Sequence, residues 1–444
     1  MESFPASRSY ELGARHMRTP ILLGLTLVVA SLAAQGDDLL TLDEALRHAR
    51  ESNGSVAAAW RQYVSARSAV ALANANFWPI ILPTYRYVDQ EQRFAGGIQT
   101  TGRLSFNQVS LSAQWLVLDG GQRLYALERA KKTAEATLAS TRQTVRQVLF
   151  STVTQFYELL RAQELLRVAD AQVARAEQTL DATRRRVEQG TAPRKDILQA
   201  QADLANARVN QISARNAVTT ASAQLRATIG WPVDRPLPML EDPGPPANPL
   251  PPTVTLDEAV ERGLQMRPDI IQGRRQRESQ RYLLLSAQRE ASFDWTLSVD
   301  FTKNFEPNDT QNRSVTFLIS YPLFDAGRAR EVVRQSRLQY EASGLQLDQL
   351  ERDVRSEIEA AYATWELSFE RFQAAQVALE AARENFRAAS ESQAEGAADV
   401  LEVSTAQVAL VTAETNFVQA VYDYYIAVVR MQLATGERMP GEED

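Results

Sequence analysis

The chain of 444 residues has no cysteine and only two histidines, His16 and His48. Without thiols there can be no disulfide framework, no cysteine nucleophile and no thiolate metal site. With two imidazoles, a multi-histidine metal centre and most histidine acid–base chemistry go as well. Charge of one sign is not concentrated: 48 Lys and Arg stand against 55 Asp and Glu, a formal charge of -7. The sequence pI is near 5.3 and there is no long basic block, which argues against nucleic acid as a partner. No carboxylate pair sits in a glycine-rich or loop-framed setting, so the chain reads as no enzyme and as needing no cofactor or metal. Long apolar runs are also missing. Nowhere do 18 apolar residues follow one another, so any entry into a membrane does not use apolar helices.

What is present begins with a targeting signal over residues 1–34. Arg15, His16 and Arg18 precede an apolar stretch from Ile21 to Ala34, with Ser31 and Ala33 at the spacing of a signal-peptidase site. Cleavage is expected near Ala33 to Gln35, and an uncleaved anchor is the alternative. Met17 is a second candidate start. No cysteine follows for lipid attachment.

The remainder is written twice. Thr41-Leu42-Asp43-Glu44-Ala45 recurs as Thr255-Leu256-Asp257-Glu258-Ala259, and Leu118-Asp119-Gly120-Gly121 as Phe324-Asp325-Ala326-Gly327. The offset of 206 residues at the second motif also relates Gly190 to Gly396, Ala200-Gln201 to Ala406-Gln407 and Gly230 to Gly436. The expected organisation is a first repeat over 35–230, a connector over 231–254, a second repeat over 255–436 and a tail over 437–444. The connector holds 9 of the 18 prolines, which fix φ and deny donors, so it is extended.

Each repeat opens on a threonine N-cap followed by acidic residues, the start of a short helix. A second helix follows, Ser55–Asn76 or Pro268–Ala291. From Gln122 to Gln189 there is neither proline nor glycine, and Arg328 to Glu395 contains only Gly344. Such stretches predict helices of about 100 Å at 1.5 Å per residue. Leu159, Leu166, Val173, Leu180 and Val187 recur every seven residues, as do Trp365, Phe372, Leu379 and Phe386. A sustained heptad implies helix-on-helix packing, and these side chains are core. Beyond Gly190 and Gly396 a return helix runs back to Gly230 or Gly436.

Between the second helix and the long one lie period-two patterns. Trp295, Leu297, Val299 and Phe301 alternate with polar residues, as do Val315, Phe317 and Ile319. Thr84–Glu91 and Leu104–Leu116 do so less cleanly, and a bulge near Asn107 is expected to account for a slip of phase. Strands with one apolar and one polar face fit a membrane barrel. Four strands cannot close, and an open edge in hydrocarbon leaves backbone groups unpaired, so the chain must associate with copies of itself; two would give 8 strands and three 12. A soluble pair of hairpins packed on helices is the alternative.

These ordered, repeated motifs closely resemble the TolC-like outer membrane efflux proteins over nearly the whole mature chain. The resemblance implies a mainly α fold with a membrane β-barrel: an internal twofold repeat of long helical hairpins and β-hairpins, assembled as a homotrimer with a 12-stranded barrel on an α-helical tunnel. It implies an exit duct of a tripartite efflux or type I secretion system, seated in outer membrane lipid and meeting a periplasmic adaptor and an inner-membrane pump. It assigns adaptor contact to the hairpin tips, Gly190, Thr191, Ala192, Gly396, Ala397 and Ala398. At the family's periplasmic aperture, acidic residues stand six and nine positions after the second hairpin glycine. Here those positions are Glu402 and Thr405, so one acidic ring is expected and the other is not; Asp196 is the matching acid of the first repeat. The rival reading is a periplasmic coiled-coil scaffold or adaptor without a channel.

Charge adds a further expectation. Residues 183–196 carry Arg184, Arg185, Arg186, Arg194 and Lys195 and sum to plus 3, whereas 389–402 carry Glu391, Glu395, Asp399 and Glu402 and sum to minus 4. If both turns lie at one end of a tunnel, ion pairs between them hold that end shut.

Overall fold

The computed structural model describes residues 39–93, 101–232, 234–247, 249–305, 309–395 and 400–442. The predicted signal peptide, and the tip residues Gly396, Ala397, Ala398 and Asp399, lie outside the described residues. In chain order the elements are α1 (Leu42–Ser52), α2 (Gly54–Ala75), β1 (Ile80–Arg93), β2 (Thr101–Asp119), α3 (Gln122–Glu188) and α4 (Arg194–Ile229). They are followed by α5 (Leu256–Met266), α6 (Pro268–Ala287), β3 (Asp294–Asn304), β4 (Thr310–Ser320), α7 (Arg328–Ala394) and α8 (Val400–Thr435). α6 thus stops short of Ala291, and β1 and β2 extend beyond both ends expected for them.

The recurring motifs are helix starts. Thr41 Oγ1 accepts the Glu44 amide at 3.1 Å while the Glu44 carboxylate accepts the Thr41 amide at 3.4 Å. Thr255 and Glu258 make the same reciprocal pair, so each opening satisfies two orphan donors of a helix N-terminus. The aspartate motif does the equivalent work where a strand turns into a long helix. Asp119 accepts the amides of Gly121 and Arg123 at 3.1 and 2.8 Å, and Asp325 those of Gly327 and Ala329 at 2.9 and 2.8 Å. The amides of Ala329 and Gly327 hold the half-buried Asp325 carboxyl below the usual carboxylate range.

α3 and α7 have 67 residues each, about 100 Å of helix. α3 packs against α2 and α4 on one side and α6 and α8 on the other; α7 packs against α6 and α8. The helices therefore form a layer whose two borders are α2 with α4, and α7. α4 ends where α2 begins: Asn53 caps α2 through the amides of Ser55 and Val56, and its Nδ2 donates to Thr228 O in the last turn of α4 at 2.9 Å. α8 meets α6 in the same way, with the buried Arg267 donating to Ala434 O at 3.2 Å.

The main core lies at this junction, where Leu149, Val153, Phe156 and Leu160 of α3 meet Leu46 of α1, Leu225 and Ile229 of α4, and Leu240 of the connector. Residues 437–442 enter it: Met439 is buried, and Glu442 pairs at 3.1 Å with the buried Arg146. Further along, the hairpins close on smaller clusters, Val173, Ala176 and Leu180 with Ala200, Leu204 and Ala207, and Leu379 with Leu410 and Ala413. A second heptad series, Ala162, Ala169, Ala176 and Thr183, is buried three residues after the predicted one. Small side chains there let the helices approach closely.

The connector is fastened by one turn of α8. The Tyr422 hydroxyl donates to Asp242 at 3.2 Å, that of Tyr425 to Gly244 O at 3.0 Å and that of Tyr424 to Leu250 O at 3.2 Å. Burial, reinforced by Asp242, pushes the Tyr422 phenol far up, and burial pushes that of Tyr157, stacked on Tyr425, up to about 12.

The four strands form one antiparallel sheet in the order β1-β2-β3-β4. The bulge expected near Asn107 is absent, because β1 and β2 pair without interruption through Tyr87 and Asn107. The register shifts instead between Leu116 and Leu118, against β3. With Val117 as the extra residue, Leu118 stays on the apolar face opposite Trp295, and Asp119 reaches the start of α3. The phase change along β2 is simply Phe106 lying on the polar face.

Candidate functional site

Two regions carry the sequence expectations, the sheet and the free ends of the helical hairpins. Register assigns the faces of the sheet. One carries Ile81, Pro83 and Tyr85, then Val109, Leu111, Ala113 and Trp115, then Trp295, Leu297, Val299 and Phe301, then Val315, Phe317 and Ile319. Among the described residues nothing covers it, and Val315 is 74% exposed. The other face is polar at its centre, with Ser110, Ser112 and Gln114 beside Thr296, Ser298, Asp300 and Thr302, and Ser314 and Thr316 beyond. Among the described residues no helix is long and apolar enough to cross a membrane. β1 and β4 are the sheet's open edges, and they are continuous with the two borders of the helical layer, β1 with α2 and β4 with α7.

At the α3–α4 tip, Gly190 adopts φ 74° and the Thr191 amide donates to Arg186 O at 2.9 Å, closing the last turn of α3. Thr191 is exposed and Ala192 half-buried. Arg184 pairs with Asp181 of its own helix at 3.5 Å; Arg185, Arg194 and Lys195 are exposed, and Arg186 is half-buried with its Nη1 unpaired. Asp196 is half-buried in the first turn of α4. Across the other hairpin, Glu391 and Glu395 are exposed, and Glu402 and Thr405 line a groove of about 380 Å³ with Asn385, Ala389, Leu401 and Ala406. Within one chain, and among the described residues, no ion pair joins the basic tip to Glu391 or Glu395.

The hairpins are tied to each other higher up, by residues that the sequence reading missed. Arg175 of α3 meets Glu414 of α8 at 2.9 Å, with side chains 19% and 16% exposed. Ser404 donates to Asp203 at 3.0 Å. Asp423 receives Arg161 of α3 at 3.2 Å and Arg371 of α7 at 3.6 Å. The heptads carry no signal for these contacts, since helix periodicity does not say which two helices are neighbours. No group of three or more His, Asp or Glu is placed to hold a metal among the described residues.

The chain matches the Outer membrane efflux protein family model over residues 45–231 and 260–437, two segments that flank the connector. It is similar to outer membrane protein TolC of Escherichia coli, with 22% identity over 442 residues that cover 94% of this chain and 86% of that protein. Alkaline protease secretion protein AprF of Pseudomonas aeruginosa is 26% identical over 415 residues, covering 87% of this chain and 82% of the relative. Among solved structures, CusC, described in connection with transmembrane channel formation, superposes with a TM-score of 0.79 at 16% identity, covering 89% of this chain and 92% of that one. At that identity the likeness shows the fold. Taken with the uncovered apolar sheet face and the hairpin layer, the family match leads to one conclusion: this chain belongs to the outer membrane efflux protein family, and is a TolC-like outer membrane transport protein and not an enzyme.

Proposed function

We propose that three copies of this chain, each an internally repeated unit, close a single 12-stranded barrel in the outer membrane above an α-helical tunnel, and that the assembly is the passive exit duct of a tripartite efflux or type I secretion system. The observation that carries this reading is the sheet with one bare apolar face and two unpaired edges. In hydrocarbon each unpaired backbone group costs several kcal/mol, so such a sheet is sealed only by joining its edges to those of other copies. The helices support the same closure. On one border Trp60, Val64 and Leu72 of α2 and Val209 and Ile212 of α4 are exposed; on the other, Leu338, Leu345, Leu367 and Val377 of α7 are exposed. Rotation about one axis would set each border against the next copy's opposite border, a head-to-tail contact that closes into a ring.

At the periplasmic end, the hairpin tips 190–192 and 396–398 are proposed to meet the adaptor, which brings an inner-membrane pump. Glu402 would contribute a ring of three carboxylates at the aperture, with Thr405 in place of a second ring and Asp196 beside it. The gate charges are Arg184, Arg185, Arg186, Arg194 and Lys195 against Glu391, Glu395 and Asp399, paired between neighbouring hairpins of the ring. Their placement supports a role beyond the hairpin: Arg194 and Lys195 in the first turn of α4, and Glu391 and Glu395 at the end of α7, all oppose the helix dipole, at about 0.3–1 kcal/mol each.

The test is the mass of the detergent-extracted protein together with its current in planar bilayers. A trimer with discrete single-channel currents is expected. A water-soluble monomer without conductance would overturn the proposal.

A further inference from the structure

We propose that Lys303 and Arg313 form a binding site, on the outward face of the sheet, for the phosphate-bearing head group of a lipid in the external leaflet. The inference rests on the barrel reading above. In the β3–β4 register Phe301 opposes Arg313 and Lys303 opposes Gln311. Lys303 and Arg313 are therefore diagonal neighbours on the same face as Trp295, Leu297, Val299 and Phe317, at positions about 7–8 Å apart.

They mark the far margin of the apolar surface. From the helix side outward, the rows across β2, β3 and β4 read Leu118, Trp295 and Ile319; then Trp115, Leu297 and Phe317; then Ala113, Val299 and Val315. The next rows bring Arg313 beside Leu111 and Phe301, then Lys303 and Gln311 beside Val109. A cation on a lipid-facing strand is tolerated at the interface and not at mid-membrane, so this pair lies at the level of head groups, on the side away from the helices. The first hairpin has Tyr85 and Val109 in the Lys303 row, so the pair belongs to the second hairpin.

The charges are held in position. The Arg313 guanidinium lies over the Phe301 ring at 5.6 Å, and the Lys303 ammonium over Phe305 at 5.1 Å. Their stems cover apolar surface while the charged ends face the interface. Among the described residues the carboxylate paired with them is Asp309, 3.6 Å from Lys303 and 68% exposed, a weak pair that a phosphate can replace. A guanidinium and an ammonium side by side suit a phosphate: the first binds two oxygens as a fork, and the second adds a point charge.

The experiment uses the full-length assembled protein in mild detergent, titrated with lipid A, a diphosphorylated lipid, and with phosphatidylcholine, and read by native mass spectrometry. Wild type should retain lipid A in preference to phosphatidylcholine. The double variant Lys303→Gln/Arg313→Gln should bind lipid A about tenfold more weakly, the loss expected on removing a charge-assisted hydrogen bond. Equal retention of both lipids by wild type, or equal lipid A affinity in variant and wild type, would overturn the site. Conductance in planar bilayers separates this from the duct: variant and wild type should conduct alike, and silence in both would count against the barrel itself.

Discussion

At the scale of single residues, the two turns from strand to long helix show how one motif is kept with different residues. Gly120 and Ala326 hold equivalent places, and both have positive φ, 62° and 53°. Glycine adopts this conformation freely, whereas alanine pays about 1–2 kcal/mol for it. A Cβ on Gly120 would also run into Ser292. Gly120→Ala should therefore destabilise the fold by about 1–3 kcal/mol, as overpacking does. Ala326→Gly should raise stability by about 0.5 kcal/mol, the relief of strain less the added freedom of the unfolded chain. Denaturant midpoints of the two variants in detergent would check the opposite signs.

Among elements, the hairpins are stitched by small clusters rather than one broad core. Leu180 is buried among Ala176, Ala200 and Leu204. Leu180→Ala should cost about 2–5 kcal/mol, and hydrogen exchange should show that loss confined to the lower part of α3 and α4. The connector answers to pH. Tyr157 and Tyr422 have raised pKa values, so the unfolded chain loses their protons near pH 10 while the folded chain keeps them. Their contribution is complete below pH 10 and declines as pH rises above it. Limited proteolysis should therefore cut within 231–254 faster at pH 11 than at pH 9, and Tyr425→Phe should already do so at pH 9. The helices were legible because their signals are local: a capping threonine, 67 residues free of proline, and a heptad of large side chains. The interleaved alanine series was not, since alanine is common on any helix face. The phase slip in β2 suggested a bulge at the wrong place because the face of Phe106 depends on pairing with β1, a contact between strands. The inter-hairpin ties at Glu414 and Asp423 were hidden for the same reason.

For the whole molecule, the proposed gate predicts a property that no single chain has. Arg185→Glu/Lys195→Glu should raise single-channel conductance, because exposed pairs contribute about 0–1 kcal/mol each and only several together can hold an aperture shut. Unchanged conductance would count against pairing between tips. One further consequence follows from the joints where α4 abuts α2 and α8 abuts α6. α3 and α7 run unbroken past these joints, while the flanking columns are interrupted there and bridged by side chains. Such a seam transmits axial load as a stack of masonry does, yet resists torsion poorly, so twisting of the lower storey would dissipate at mid-height before it strained the strands above.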